Sequence, residues 1–186
     1  MKIIDIHSIF HNKQITYKEA ELILYDFKRH ERFEVFIALY EATLKNDLTT
    51  AFKVFREAYC ASDHIFKQIK NSKSTFDLKM FLNFLKNNRV DFMALMTDRE
   101  KKYYHDLPDR VTIYRGINEA EHISKNYGIS WSLSEDTAMD YIYFDKNEVE
   151  KGEGGIIDLT VDKKDILTVF SVHRDLEIIY IYDRDM

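Results

Sequence analysis

The chain of 186 residues is long enough for one ordinary domain, or for one domain with an extension. Apolar residues make up 45% and charged residues 32%, which excludes a disordered chain and predicts a globular one. The net charge of −5 is unevenly divided: residues 1–107 carry 18 basic and 15 acidic side chains, residues 108–186 carry 9 and 17. No segment has the basic, aromatic-interleaved character of a nucleic-acid surface, so we expect no nucleic-acid partner.

The single cysteine, Cys60, excludes an internal disulfide and a cysteine-based zinc site. His7 and His11 are four residues apart but have no evident third ligand, so we predict no metal. The first residues have no apolar core of signal-peptide length, and no run approaches the roughly 20 residues that a membrane helix needs. We therefore expect a cytoplasmic location and no membrane partner.

The first part of the chain is predicted to be helical, because Pro108 and all 5 glycines lie at or beyond position 108. Tight hairpins need such residues, whereas helices do not. The spacing of apolar residues predicts helices over 17–30, 33–44, 49–59, 78–85 and 90–103, and residues 74–77 resemble a capping box. The residues expected to form the aromatic packing core are Phe27, Phe33, Phe36, Phe52, Phe55, Phe66, Phe81 and Phe84.

From Leu107 onwards the pattern changes to strands. Residues 111–114 are rich in β-formers, residues 131–144 predict a loop and then a helix capped by Ser134, and residues 151–155 predict a turn. Three further strands are predicted over 156–161, 166–172 and 177–182, the last buried on both faces. The sequence thus predicts an α+β protein with a helical N-terminal region, 1–106, and a strand-rich region, 107–186, which can pack as one globular unit.

Three polar features of the second region are candidates for a site. Arg115 ends an apolar strand and precedes Gly116, which allows a ligand or backbone to approach closely. Ser130 and Ser132 alternate with apolar residues and would share one face of an extended segment. Each feature also has a plain structural interpretation, a solvated strand end in the first case and a half-exposed edge strand in the second.

The third feature is a pair of carboxylates, Asp175 and Glu177, at the entry of the last apolar strand. In an extended chain the two carboxylates point to the same side and repel each other. Such a pair is more readily tolerated where a bound cation or an electrophilic group offsets the repulsion. A solvated strand entry is the structural alternative.

In this order the three features resemble the Arg-Ser-Glu class of ADP-ribosyltransferases, especially small phage and prophage-type members. The resemblance covers about residues 107–182 and implies a split β-sandwich like that of the family, following the N-terminal helices. It also implies NAD as substrate and no metal. The segments that carry it are Leu107-Pro108-Asp109, Tyr114-Arg115-Gly116, Gly128-Ile129-Ser130-Trp131-Ser132, Ile166-Leu167-Thr168-Val169-Phe170 and Arg174-Asp175-Leu176-Glu177-Ile178-Ile179.

The resemblance assigns a role to each candidate residue. Glu177 would stabilise the oxocarbenium-like ribosyl cation, and Ser130 would orient Glu177. Arg115 would bind the NAD phosphates, and Asp175 would orient the acceptor. Family members that modify arginine have Glu or Gln in place of Asp175, and many members have Thr in place of Ser132. The residues expected to contact NAD are Tyr114, Arg115, Gly116, Ser130, Trp131, Ser132, Tyr143 and Phe144.

Three functions remain open at this point. The first is a mono-ADP-ribosyltransferase, a toxin-like or phage effector, that modifies a protein in a host or bacterial cytoplasm. The second is an NAD glycohydrolase, in which water is the acceptor and the same residues serve. The third is a catalytically decayed member of the fold that only binds a partner.

Overall fold

The computed structural model describes residues 2–11, 13–144, 154–172 and 175–183, with only the backbone of residues 141–144, 172 and 175. The chain divides into two compact units, Met1–Asp91 (unit 1) and Phe92–Met186 (unit 2). Helices and strands are both present, in agreement with the predicted α+β class. Among the described residues, no helix combines the length and apolar character needed to cross a membrane.

Unit 1 is helical, as predicted. Its helices are α1 (Ile3–Phe10), α2 (Tyr17–Tyr25), α3 (Arg32–Ala42), α4 (Leu48–Ala61), α5 (Ile65–Asn71) and α6 (Leu78–Asn87). Two of them begin at aspartate caps: Asp47 accepts a hydrogen bond from the Thr50 amide at 3.0 Å, and Asp77 accepts one from the Met80 amide at 2.7 Å. The predicted helices over 17–30 and 33–44 extend beyond the observed ends, and α1 and α5 were not predicted.

The core of unit 1 is largely aromatic. Phe55 lies at its centre, with ring centroids 5.6 Å from Phe36 and 5.2 Å from Phe81. Two of the predicted core residues are exposed instead: Phe66 at 66% and Phe84 at 45%. The buried stripe of α6 consists of Leu78, Phe81, Leu82 and Leu85. Phe84 lies about 110° around the helix from the centre of that stripe and therefore faces solvent.

The N-terminus of α3 is capped by a residue distant in sequence. Its own N-cap position, Glu31, makes no side-chain cap. Instead Oε1 of Gln68, in α5, accepts hydrogen bonds from the amides of Phe33 at 2.7 Å and Glu34 at 3.2 Å. Gln68 is 2% exposed, so the otherwise unpaired amides at this helix end are satisfied inside unit 1.

Unit 2 contains two described sheets. Its elements are α7 (Asp98–Asp106), β1 (Arg110–Ile117), α8 (Glu119–Ser124), β2 (Ser130–Trp131), α9 (Glu135–Phe144), β3 (Gly155–Asp162), β4 (Thr168–Val172) and β5 (Asp175–Ile179). In one sheet β1 pairs antiparallel with β3; in the other β5 lies between β2 and β4, again antiparallel. A single antiparallel bridge between Tyr114 and Ser132 joins β1 to the end of β2.

The boundary between the units differs from the predicted one at Leu107, because α7 belongs with the strands. Oε1 of Glu100 in α7 accepts a hydrogen bond from the Ser171 amide in β4 at 2.7 Å. The Tyr104 hydroxyl donates to the Lys163 carbonyl at 3.1 Å. Glu100 is fully buried, so this connection is part of the interior of unit 2.

The main apolar core of unit 2 contains residues from both sheets. It includes Val111, Ile113 and Ile117 of β1, together with Trp131 of β2 and Ile178 of β5. All residues from Glu177 to Tyr180 are buried, as predicted for a last strand covered on both faces, but the observed strand is Asp175–Ile179 and not 177–182.

Candidate functional site

The Arg115 guanidinium is held at the end of β1 by three hydrogen bonds. Nη2 and Nε donate to Oε1 of Glu121 at 2.8 and 3.3 Å, and Nη1 donates to the Ser130 carbonyl at 2.9 Å. The two charged side chains are 14% and 17% exposed. A charge this far from water needs a partner, and the Glu121 carboxylate provides it.

Gly128 makes this arrangement possible because it leaves room for the guanidinium. A Cβ added to Gly128 would lie 2.4 Å from Nη2 and 2.7 Å from Cζ of Arg115. The Gly128 amide also donates to Oε1 of Glu121 at 2.9 Å, so a single carboxylate oxygen joins α8, the β2 entry and Arg115. The glycine that precedes the serine segment is therefore required by close approach of a side chain.

Ser130 and Glu177 lie on the same face of the β2–β5–β4 sheet. Ser130 is directly opposite Ile179, and side chains of directly opposed residues in antiparallel strands share a face. Glu177 is two residues from Ile179 and therefore shares that face too. It is directly opposite Phe170 of β4 and is 9% exposed. The structure thus places two of the three groups that the sequence singled out on one face of the same sheet.

Arg115 is brought to the backbone of Ser130 and not to the face that carries Glu177. The bridge places Tyr114 opposite Ser132, so strand alternation puts Tyr114 on the Ser130 side and Arg115 on the other. Arg115 shares its side of β1 with Ile113 and Ile117, which belong to the core. Its long side chain nevertheless reaches the polar pair formed by Glu121 and the Ser130 carbonyl.

Trp131 lies in the core of unit 2, where the prediction had it contacting NAD. It is 2% exposed and packs edge-to-face against Tyr127 at 6.2 Å and Tyr180 at 6.1 Å between ring centroids. Among the described residues its indole nitrogen has no hydrogen-bond partner. Alternation in β2 places it on the side opposite Ser130 and Ser132.

Of the other residues predicted to form the site, some lie within the described part of the structure and others outside it. Gly116 lies in β1, opposite Ile156 of β3. Asp175 begins β5, but its side chain and those of Tyr143 and Phe144 lie outside the described part of the structure. Arg174, which belongs to the same motif, and most of the predicted turn at 151–155 lie outside it as well.

A cavity of about 260 Å³ opens beside the serine segment, within unit 2. Two of its lining residues come from α7, three from the loop after β2, one from α9 and one from β5: Arg99, Tyr103, Ser132, Leu133, Ser134, Thr137 and Leu176. Ser134 caps α9, as predicted, by accepting a hydrogen bond from the Thr137 amide at 3.3 Å. Its own amide donates to Oγ of Ser132 at 3.0 Å.

Sequence reasoning missed Glu121, Arg99 and Tyr103. Glu121 stands in a short helix whose acidic residues look like ordinary surface positions, and only the need of a partner for a buried Arg115 could have pointed to it. Arg99 and Tyr103 occupy a polar helix with no motif. The described ranges contain no group of three or more His, Cys, Asp or Glu residues that could hold a metal ion.

Comparisons of the chain with protein families, with curated proteins and with solved structures found no match.

Proposed function

We propose that the chain is an NAD-dependent mono-ADP-ribosyltransferase whose unit 2 has the split β-sandwich of that family. The observation that carries the proposal is the placement of Ser130 and Glu177 on one face of adjacent antiparallel strands. These residues are far apart in sequence, and the order of the motifs is what suggested that they act in one site. The two described sheets, joined by the Tyr114–Ser132 bridge, support the proposed fold.

The chemistry needs a carboxylate where positive charge develops. Nicotinamide leaves NAD with the electron pair of its bond to ribose C1, and the ribosyl group acquires oxocarbenium character. A Glu177 carboxylate on the side of that cation stabilises it more than it stabilises the ground state. A nucleophilic nitrogen of the acceptor protein then forms the new bond to C1 and gives up a proton. At 9% exposure, Glu177 acts in surroundings that screen charge less than water does.

Arg115 has a positioning role in this proposal. Its bond to the Ser130 carbonyl fixes the strand that carries the Ser130 hydroxyl. Its remaining described bonds go to Glu121, so a phosphate would have to displace that carboxylate before it could contact the guanidinium. This ion pair is also the observation that favours the second candidate, a member of the fold that binds a partner without cleaving NAD.

We expect Glu177→Gln to lower NAD cleavage by about a hundredfold or more, because the substitution removes the charge but preserves the size of the side chain. The measurement uses NAD labelled in its adenylate part, incubated with bacterial lysate and the full chain. Label on a protein band indicates transfer, and free labelled ADP-ribose indicates hydrolysis. Nicotinamide release measures both reactions together.

The matched control is Glu119→Gln, which removes the same charge from an exposed position of α8 and should leave cleavage unchanged. Equal activity of the Glu177 and Glu119 variants would refute the assignment of Glu177. Absence of cleavage by the folded wild-type chain would favour the binding protein.

A further inference from the structure

One carboxylate oxygen, Oε1 of Glu121, lies among three converging hydrogen-bond donors. Nε and Nη2 of Arg115 and the amide of Gly128 all donate to this oxygen, at 3.3, 2.8 and 2.9 Å. The same arrangement of a guanidinium and a backbone amide suits an oxygen of a small oxyanion that comes from outside the chain. Glu121 therefore fills a position that an anionic ligand can also occupy.

The donors are held in place without the help of the carboxylate. Arg115 belongs to β1, which pairs with β3 along its full length, and its Nη1 donates to the Ser130 carbonyl at 2.9 Å. Gly128 lies between Tyr127 and Ile129, whose side chains are buried and fix the backbone on either side of the glycine. The donor set would thus keep its geometry if the carboxylate left.

The carboxylate itself is carried by an element with few anchors. The helix α8 has six residues, and of the described residues 118–126 none is buried. The buried anchors are Ile117 before this segment and Tyr127 after it. Ile123, the large apolar side chain of α8, is 73% exposed. A helix this short is not stable alone in water, and moving it away from the donors would expose little apolar surface.

The Arg115 charge explains why the segment stays closed when no ligand is bound. The side chain is only 14% exposed, and a charge this far from water is costly without a partner. Glu121 can leave at low cost only when another anion takes its place. Binding of the anion and release of α8 would therefore occur together, and competition by Glu121 would lower the affinity for the anion.

We propose that α8 is an autoinhibitory segment: its Glu121 carboxylate closes the anion site formed by Arg115 and Gly128, and a phosphate group opens the site by displacing that carboxylate. The choice of phosphate rests on the proposed function, since the dinucleotide contains a pyrophosphate. Binding and release of α8 are both measurable without NAD cleavage. A chain that responds to pyrophosphate in this way but does not cleave NAD would overturn the proposed reaction and leave this inference standing.

The first test compares affinities for inorganic pyrophosphate by titration calorimetry of the full chain. Glu121→Gln preserves the size of the side chain but removes its charge, so it weakens the internal competitor. We expect this variant to bind pyrophosphate about tenfold more tightly than the wild type. Glu119→Gln removes the same charge from an exposed position of the same helix and should change the affinity by less than about twofold. Equal affinities of the two variants would overturn the proposal.

The second test uses the wild type and so does not depend on the folding of a variant. Amide hydrogen exchange is measured by nuclear magnetic resonance with and without saturating pyrophosphate. The amides of His122 and Lys125 bond to the carbonyls of Asn118 and Glu121. We expect these α8 amides to exchange about threefold faster in the bound state, and those of β1 to exchange no faster. Unchanged or increased protection of α8 would indicate an ion pair with a purely structural role and would overturn the proposal.

Competition with NAD identifies the source of the phosphate group. NAD that competes with pyrophosphate would identify the dinucleotide as the ligand, and NAD that does not compete would identify a free phosphate compound. Absence of saturable pyrophosphate binding by both the wild type and the Glu121→Gln variant would overturn the proposal.

Discussion

At Gly128 the absence of a side chain determines where a charged group can lie. The guanidinium of Arg115 occupies the space that a Cβ would fill, and the Gly128 amide binds the same carboxylate oxygen as that guanidinium. The residue is conformationally ordinary, because no described glycine has a positive φ. Its role is steric, and a sequence pattern that treats glycine only as a helix breaker does not reveal it.

We expect Gly128→Ala to destabilise the protein by about 1–3 kcal/mol, because the added methyl group must displace the Arg115 guanidinium and break its pairing with Glu121. Thermal unfolding measures the change. Gly155→Ala is the matched control, since nothing lies within 4 Å of its added Cβ, and we expect a change within about 0.5 kcal/mol. Equal effects of the two substitutions would contradict the steric explanation.

The sequence was most informative at the scale of single residues where chemistry is local. Ser134 caps α9 as predicted, because a cap depends only on residues within one turn. The capping box predicted over residues 74–77 was wrong by one turn, since Asp77 is itself the cap of α6. The sequence was least informative for partners distant in the chain. Nothing near Arg115 indicates Glu121 as its partner, and nothing near α3 indicates that Gln68 caps it.

At the scale of elements, α7 shows how one buried carboxylate joins a helix to a sheet. Glu100 accepts the amide of Thr97 at 2.8 Å, within its own capping box, and the amide of Ser171 in β4 at 2.7 Å. The spacing of apolar residues predicted a helix over 90–103 and grouped it with the helices of the N-terminal region, whereas the observed helix is Asp98–Asp106. The hydrogen bond between Glu100 and β4 shows that this helix packs in unit 2, although its sequence resembles those of the helices in unit 1.

We expect Glu100→Ala to cost about 1–3 kcal/mol, because it leaves two backbone amides without their described acceptor. Urea unfolding followed by circular dichroism measures the loss. Glu19→Ala removes the glutamate of an equivalent but exposed capping box in α2, and its effect should be smaller. A larger effect at Glu19 would show that the contact with β4 contributes little.

The start of α4 should make stability depend on pH. Hydrogen bonds from Thr50 lower the pKa of Asp47. A lowered pKa in the folded state means that the stabilisation is fully present above the unfolded pKa and is lost as the pH falls through the folded one. Asp47→Ala should therefore cost about 0.5–2 kcal/mol near neutral pH. The difference should shrink below about pH 3.9, the ordinary pKa of aspartate; a constant difference in melting temperature across this range would contradict it.

At the scale of the whole molecule, the chain comprises a helical unit and a strand-rich unit whose boundary follows Asp91. The sequence predicted both classes correctly, because the confinement of Gly and Pro to the second part is a property of the whole chain. The predicted boundary was Leu107, where the sequence changes from helix-forming to strand-forming residues. The sequence of a polar helix does not indicate whether the helix packs against other helices or against a sheet.

We expect a fragment of residues 92–186 to be more ordered than one of residues 107–186, because the shorter fragment lacks α7. It loses the Glu100 bond to Ser171 and the Tyr104 bond to Lys163. Dispersion of amide signals in nuclear magnetic resonance spectra compares the two fragments. Equal dispersion would mean that α7 adds no order to the strand-rich unit, and would support the predicted boundary at Leu107.

Trp131 is the only tryptophan of the chain, and it is buried in unit 2 against Tyr127 and Tyr180. Tryptophan fluorescence therefore reports on unit 2 alone. The far-ultraviolet circular dichroism of helices reports mainly on unit 1, which contains most of the described helical residues. Denaturation curves recorded with the two optical signals would superimpose if both units unfold cooperatively and would separate if each unfolds alone.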